Sequence, residues 1–171
     1  SIYLMKEDID EVIYIDIADQ HPDTHRFLKD CEKVLGMKIH YLKHREFNSV
    51  EDVIKKFKFI NSPYGAKCTG VLKKKVRLDW EKEQKDVDYF RYVWGYDAKE
   101  THRANRLQET SPEYEHVFPL IDKQLSKKEV HGVLQQLGIK RPLMYDLGYQ
   151  NNNCVGCVKG GMGYWNRIRI D

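Results

Sequence analysis

The chain has 171 residues, of which 41% are hydrophobic and 32% charged, so it is long enough for one domain with a core and unlike a disordered protein. Its formal net charge of +3 is too small to indicate nucleic acid as a partner, and no apolar run approaches the roughly 20 residues of a membrane span. Four cysteines without a visible secretory signal predict a cytoplasmic protein with reduced thiols.

Short apolar runs alternate with amphipathic stretches along the chain. The apolar runs predict strands at residues 12–16, 38–42, 89–94 and 115–119. The amphipathic stretches predict helices over residues 23–35, 49–57, 68–84 and 126–137. Gly36 and Gly138 follow two of these helices, and a capping box at Ser126 and Glu129 opens the last one. The alternation predicts a three-layer α/β fold with a mostly parallel sheet, and the Gly- and Asn-rich residues 141–164 predict an irregular tail.

Three of the four cysteines predict a metal or redox centre. Cys154 and Cys157 form a C-x-x-C, whose two thiolates can bind one metal, and Cys68 lies far upstream. If the fold brings the three together, they can hold an iron–sulfur cluster with one open coordination position. A structural zinc clip and simple free thiols are the alternatives that the residues leave open. Cys31 falls on the apolar face of a predicted helix, so we expect it in the core.

Several charged residues are candidates for binding an anionic ligand. Arg103 and Arg106 could bind phosphate or sulfate oxygens in a bidentate manner, and Lys73 lies in a basic run. A solvated helix face is the alternative for all three. Asp16 ends the first predicted strand, where open α/β sheets place their ligands, whereas Asp19 is better interpreted as a helix cap.

Four segments in this order resemble the phosphoadenosine phosphosulfate (PAPS) reductase family of the adenine nucleotide alpha-hydrolase-like superfamily. They are residues 15–24, 68–73, 95–106 and 118–157. The first resembles the family's strand end and its His-Pro-x-Thr helix start, and the second resembles the segment where iron–sulfur members carry adjacent cysteines. The third resembles the Gly-x-Arg-x-x-Glu-x-x-Arg motif, and the fourth resembles the end of the domain with its C-x-x-C. The resemblance covers essentially the whole chain.

The chain also departs from the family pattern. The pyrophosphate loop Ser-Gly-Gly-x-x-Ser does not precede the first helix, and Ser1 takes the position of its last serine. The Glu-Cys-Gly-Leu-His tail is missing, and Thr69 stands in place of the second adjacent cysteine. We therefore expect residues 1–171 to be a single PAPS-reductase-like domain that is incomplete at both ends. These departures leave two reactions as alternatives, namely reduction of a sulfonucleotide and sulfur transfer.

The resemblance implies a Rossmann-like fold and an enzyme that uses an adenine nucleotide, PAPS or ATP, for sulfonucleotide reduction or adenylation-linked sulfur transfer. The nucleotide- or anion-binding residues that it implies are Ser1, Asp16, Lys73, Arg103 and Arg106. The metal ligands that it implies, for an iron–sulfur cluster or for zinc, are Cys68, Cys154 and Cys157. It further implies a thiol electron donor or a sulfur donor as partner, with nucleic acid as an open alternative. The second functional class is a non-catalytic nucleotide- or zinc-binding domain that retains only the scaffold.

Overall fold

The computed structural model describes residues 1–63 and 65–170. The chain divides into two compact units, each built from three segments. Unit 1 contains residues 1–11, 30–37 and 85–141, and unit 2 contains residues 12–29, 38–84 and the segment from Pro142 onward. Helices combined with parallel strand pairs confirm the predicted α/β fold class. The organisation as one domain stays a prediction.

Unit 2 begins with a parallel pair of short apolar strands. Strand β1 (Val12–Ile15) pairs with β2 (Ile39–Leu42), with Val12 opposite Ile39. Helix α1 (Asp23–Leu35) follows β1 and belongs to unit 2 as far as Lys29, and the Asp23 N–H donates to Nδ1 of His21 at 3.1 Å where the helix begins. The helix ends at Gly36, whose φ of 66° is the left-handed conformation that glycine adopts without strain.

Helix α2 (Val50–Phe57) starts at the predicted Ser49, which forms a capping box with Asp52. This helix contributes to the buried cluster of unit 2, in which apolar side chains from the β1–α1 loop and two helical segments meet. The members of the cluster are Ile17, Val53, Val71 and Leu72. The side chain of Cys68 packs against this cluster.

The predicted basic helix is continuous, but its hydrogen-bond pattern changes from α to π and back to α. A short antiparallel hairpin of β3 (Asn61–Ser62) and β4 (Gly65–Ala66) precedes it, and Tyr64 of the predicted loop 61–65 lies outside the described residues. The helical segment runs through α3 (Lys67–Thr69), a π-helix (Gly70–Lys75) and α4 (Val76–Glu83). A π-helix is rare and frequently marks a functional region, and this one directly follows Cys68.

Unit 1 contains a second parallel pair. A 3-10 helix (Ile2–Asp8) opens the unit, and β5 (Arg91–Val93) pairs with β6 (Glu115–Val117), Arg91 standing opposite Glu115. Aromatic rings pack along the two strands and hold the pair together. The rings belong to Phe90, Tyr92, Trp94, Tyr96, Tyr114, His116 and Phe118.

The helices of unit 1 follow its two strands. They are a 3-10 turn (Ala98–Glu100), α5 (Thr101–Thr110), α6 (Pro119–Asp122) and α7 (Lys127–Gln136). The predicted capping box opens α7, because the Glu129 N–H donates to the Ser126 hydroxyl and the Glu129 carboxylate accepts from the Ser126 N–H. Gly138, with a φ of 69°, follows α7 as predicted.

Two predictions about the backbone need correction. The predicted strands 12–16, 38–42 and 89–94 do not share one hydrogen-bonded ladder, since β1 pairs with β2 while β5 pairs with β6. The tail is also less irregular than predicted, because it contains α8 (Leu143–Asp146) and α9 (Met162–Ile168). Over residues 1–63 and 65–170, every helix is too short or too polar to cross a membrane.

Candidate nucleotide pocket and cysteine turn

A pocket of about 540 Å³ lies at the carboxyl edge of β1 and β2 in unit 2. The loops after the two strands are joined there, because the Asp16 N–H donates to the Leu42 carbonyl at 2.8 Å and the Ala18 N–H to the Asn48 carbonyl at 3.0 Å. The pocket is lined by Asp16, Ile17, Ala18, Gln20, Pro22, His25, Lys43 and Asn48. Its place corresponds to the edge where open α/β sheets bind ligands.

The predicted ligand-binding residue Asp16 is the acidic centre of this pocket. Its side chain is only 11% exposed, and its Oδ2 lies 2.9 Å from Nζ of Lys43. Nε2 of His25 lies 3.3 Å from Oδ1, and the His25 ring stacks on Tyr41. The carboxylate is therefore held between an ammonium group and an imidazole. Sequence reasoning did not find Lys43, although it follows β2 just as Asp16 follows β1.

Two polar side-chain atoms near the pocket are buried without a hydrogen-bond partner among the described residues. They are Oε1 of Gln20, which lines the pocket, and the hydroxyl of Tyr14. Burial, followed by the negative charge of Asp16, raises the pKa of Tyr14, so its hydroxyl remains a proton donor at neutral pH. An unpaired buried acceptor is costly, and a ligand with an N–H group would satisfy the Gln20 oxygen.

The C-x-x-C forms a tight turn closed by a tyrosine. The Cys157 N–H donates to the Cys154 carbonyl at 3.1 Å, and Gly156 supplies the required positive φ of 74°. The Tyr164 hydroxyl, on α9, donates to the Cys154 carbonyl at 2.7 Å and accepts from the Cys157 N–H at 3.1 Å. The Tyr164 ring occupies the space that a Cβ on Gly160 would need. One hydroxyl thus fixes both ends of the cysteine turn.

Asp19 connects the cysteine turn to the loop that lines the pocket. Its backbone carbonyl accepts from the Val155 N–H at 2.7 Å, and its carboxylate accepts from the Val50 N–H, also at 2.7 Å. Because Val50 is the first residue of α2, the Asp19 carboxylate satisfies an N–H at the start of that helix beside its cap, Ser49, and not at the start of α1, the helix that follows Asp19 in the chain. The three segments that meet at Asp19 belong to the same unit.

Cys68 and the C-x-x-C lie in the same unit and interact electrostatically. Burial raises the pKa of the Cys154 thiol, the Lys73 ammonium opposes this, and charge on Cys157 or Cys68 adds to it. However, residues 1–63 and 65–170 contain no group of three or more His, Cys, Asp or Glu side chains arranged to hold a metal ion. The ligand role of Cys68, Cys154 and Cys157, for an iron–sulfur cluster or for zinc, therefore stays a prediction. Cys31 is half-buried.

The other predicted anion-binding residues are distributed over the two units, and none of them is among the residues that line the pocket. In unit 1, the Ser1 hydroxyl donates to the Trp94 carbonyl at 2.9 Å. Arg103 pairs with Glu100, and its guanidinium lies 4.5 Å from the centre of the Tyr96 ring. Arg106 is exposed on α5, also in unit 1, and Lys73 is exposed on the π-helix of unit 2. Their roles toward a nucleotide stay predictions.

Comparison with known proteins supports the resemblance. A family model described as the phosphoadenosine phosphosulfate reductase domain matches residues 2–160. A crystal structure of phosphoadenylyl-sulfate (PAPS) reductase from Candida auris, in a phosphate complex, is similar with a TM-score of 0.56 and 16% sequence identity. The similarity covers 90% of this chain and 73% of that chain, and at this identity it is a similarity of fold. A comparison with curated proteins found no match.

Proposed function

Because the chain belongs to the phosphoadenosine phosphosulfate reductase domain family, we propose that it binds an adenine nucleotide and acts on a sulfonucleotide or in adenylation-linked sulfur transfer. The pocket at the carboxyl edge of β1 and β2 is the proposed site of the adenosine group. The observation that carries this assignment is the buried, unpartnered Gln20 oxygen in the pocket wall. The amino group of adenine is a donor that such an oxygen would accept.

The charged groups of the pocket support the same assignment. A carboxylate near the end of a parallel strand can accept hydrogen bonds from ribose hydroxyls, and Asp16 occupies that position. The Lys43 side chain is 62% exposed, so it can turn from Asp16 toward a phosphate at little cost. Arg103 and Arg106 remain predicted ligands of phosphate or sulfate oxygens, because a guanidinium group binds such oxygens in a bidentate manner.

Reduction of a sulfonucleotide would convert two thiols of the electron donor into one disulfide and release sulfite with adenosine 3′,5′-bisphosphate. Sulfite release from PAPS in the presence of a dithiol reductant is the direct measurement of this reaction. Nucleotide binding without turnover would favour the scaffold-only alternative. Metal and acid-labile sulfide analysis of protein purified without oxygen tests the predicted cysteine-bound centre, and Cys68→Ser should lower the metal content.

The base-binding assignment is tested by removing the two partners of the proposed hydrogen bond in turn. The protein should bind adenosine 3′,5′-bisphosphate more tightly than the inosine analogue, which lacks the amino group, by about fivefold or more. Gln20→Leu should weaken binding of the adenine compound and abolish this preference. Gln108→Leu, an exposed change on α5, is the matched control. Equal calorimetric affinities for both nucleotides in the unaltered protein would refute the assignment.

A further inference from the structure

A second pocket of unit 2, with a volume of about 540 Å³, has an apolar floor. The floor is formed by Val71, which is buried, and by the rings of Phe47 and Phe57, whose centres lie 6.1 Å apart. Phe47 packs against the buried cluster of the unit, whereas Phe57 is 40% exposed. A concave surface of this size with aromatic rings in its lining is typical of small-ligand pockets.

The loop between β2 and α2 forms one wall of this pocket and is held in place by polar contacts. Nδ1 of His44 accepts hydrogen bonds from the Glu46 and Phe47 N–H groups, each at 3.1 Å, and the His44 ring stacks on the Phe47 ring. The Arg45 guanidinium pairs with the Glu83 carboxylate, which joins the loop to α4 on the opposite wall. These contacts order the pocket before a ligand binds, which lowers the entropy cost of binding.

The rim of this pocket carries charges of both signs, and most of them are paired. Besides the pair between the loop and α4, Nζ of Lys75 lies 2.8 Å from Oδ2 of Asp79, and the Lys82 ammonium also attracts the Asp79 carboxylate. Two exposed lining groups, the Glu46 carboxylate and the Lys56 ammonium, have no ion-pair or hydrogen-bond partner among residues 1–63 and 65–170. The pocket therefore offers one free group of each sign beside an apolar floor.

We propose that this pocket binds a small zwitterion with an apolar body, which is the chemistry of a free aromatic or large aliphatic amino acid. The Glu46 carboxylate accepts hydrogen bonds from the ligand's ammonium group, the Lys56 ammonium pairs with its carboxylate, and the apolar side chain packs on Phe57. A simple anion fits less well, because the paired charges of the rim cancel and leave one free group of each sign. The proposal does not depend on the proposed function, since the two pockets share no lining residue.

The test is titration of the full chain with L-phenylalanine and with two analogues, followed by amide chemical shifts at constant ionic strength. The analogue 3-phenylpropionate lacks the ammonium group, and 2-phenylethylamine lacks the carboxylate. L-Phenylalanine should bind about threefold or more tightly than either analogue, because each analogue loses one charge pair at an exposed site. The shifts should cluster at residues 44–47 and 56–57.

Variants of the two free charged groups assign the two ends of the ligand. Glu46→Gln should lower the affinity for L-phenylalanine by about threefold but not the affinity for 3-phenylpropionate, and Lys56→Gln should do the same with respect to 2-phenylethylamine. Phe57→Ala should weaken binding of all three ligands. Lys74→Gln, which is exposed and outside the pocket, is the matched control, and Gln20→Leu in the adenosine pocket should also leave binding unchanged.

Each outcome decides the proposal. Selective losses in Glu46→Gln and Lys56→Gln, with full binding by Lys74→Gln, support a zwitterion site. Equal affinities for the three ligands would show that only the apolar floor binds them, and the absence of shifts at these residues would show that no site exists; either result overturns the proposal. Tighter binding of N-acetyl-L-phenylalaninamide than of L-phenylalanine would overturn it in favour of a peptide segment as the occupant. Equal weakening by Lys74→Gln would overturn it in favour of diffuse charge attraction.

Discussion

The hydroxyl of Tyr164 is expected to stabilise the cysteine turn, and Tyr164→Phe removes only that group. The change deletes one bond of 2.7 Å to the Cys154 carbonyl and one of 3.1 Å from the Cys157 N–H. Each hydrogen bond contributes about 0.5–1.5 kcal/mol net, but the two backbone groups keep the bond of 3.1 Å to each other. We therefore expect the free energy of unfolding to fall by about 1–2 kcal/mol.

Urea unfolding followed by circular dichroism measures this loss. Tyr89→Phe is the matched control, because the Tyr89 side chain is 70% exposed and its hydroxyl change should alter the free energy of unfolding by less than about 0.5 kcal/mol. A Tyr164→Phe protein as stable as the Tyr89→Phe protein would refute the reasoning.

The same variant should change the chemistry of the cysteines. Cys154 is buried, so its thiol reacts with an aromatic disulfide reagent only when the turn opens. Lowering the opening free energy by about 1–2 kcal/mol should raise the reaction rate of Cys154 by about 5–30-fold. Cys154→Ser identifies which part of the signal comes from this residue. A lower free energy of unfolding without faster labelling of Cys154 would contradict a local stabilisation of the turn by the Tyr164 hydroxyl.

Two further predictions concern single residues of unit 2. The pKa of Asp23 is lowered from 3.8 to about 2, and the largest cause is the hydrogen bond from Arg26. The ionised Asp23 carboxylate therefore stabilises the folded protein fully above about pH 4, and this stabilisation is lost as pH falls through about 2. Acid titration of unfolding should show a loss of about 1 kcal/mol in that window, which Asp23→Asn should abolish. Gly156→Ala should destabilise by about 1 kcal/mol in urea unfolding, because Gly156 has a φ of 74°. Gly163→Ala, in α9 with open space around the new methyl group, should not destabilise.

The sequence predicted the strands and helices that carry local signals. Ser49 and Ser126 were recognisable as caps because a carboxylate follows each at the third position, and Gly36 marked the end of α1. Helix α9 was missed because Gly163 lies within it and glycines precede it, which lowers the helix propensity of the segment. The sequence predicted that the strands pair in parallel, but it did not predict which strands are neighbours, since apolar runs carry no information on the partner strand.

The candidate site was predictable in part, for a similar reason. Asp16 could be found because the end of a buried strand is a position defined by sequence. Its contact with Lys43 depends on the pairing of β1 with β2, and the burial of the Gln20 side-chain oxygen is a property of the folded unit that the sequence does not show. The role of Tyr164 needed the position of α9, which no periodicity indicated.

Two hydrogen bonds join the C-terminal tail to the start of α1, and synthesis on the ribosome delays their formation. The Leu143 N–H donates to the Asp23 carboxylate across 120 residues, and the Asn152 amide donates to the Thr24 hydroxyl across 128. At roughly 5–20 residues per second, the start of α1 is made about 6–25 s before these partners. During that interval the amino end of α1, which follows the loop that lines the proposed adenosine pocket, lacks these two hydrogen-bond partners. Unit 2 can therefore be completed only after Asn152 has been synthesised.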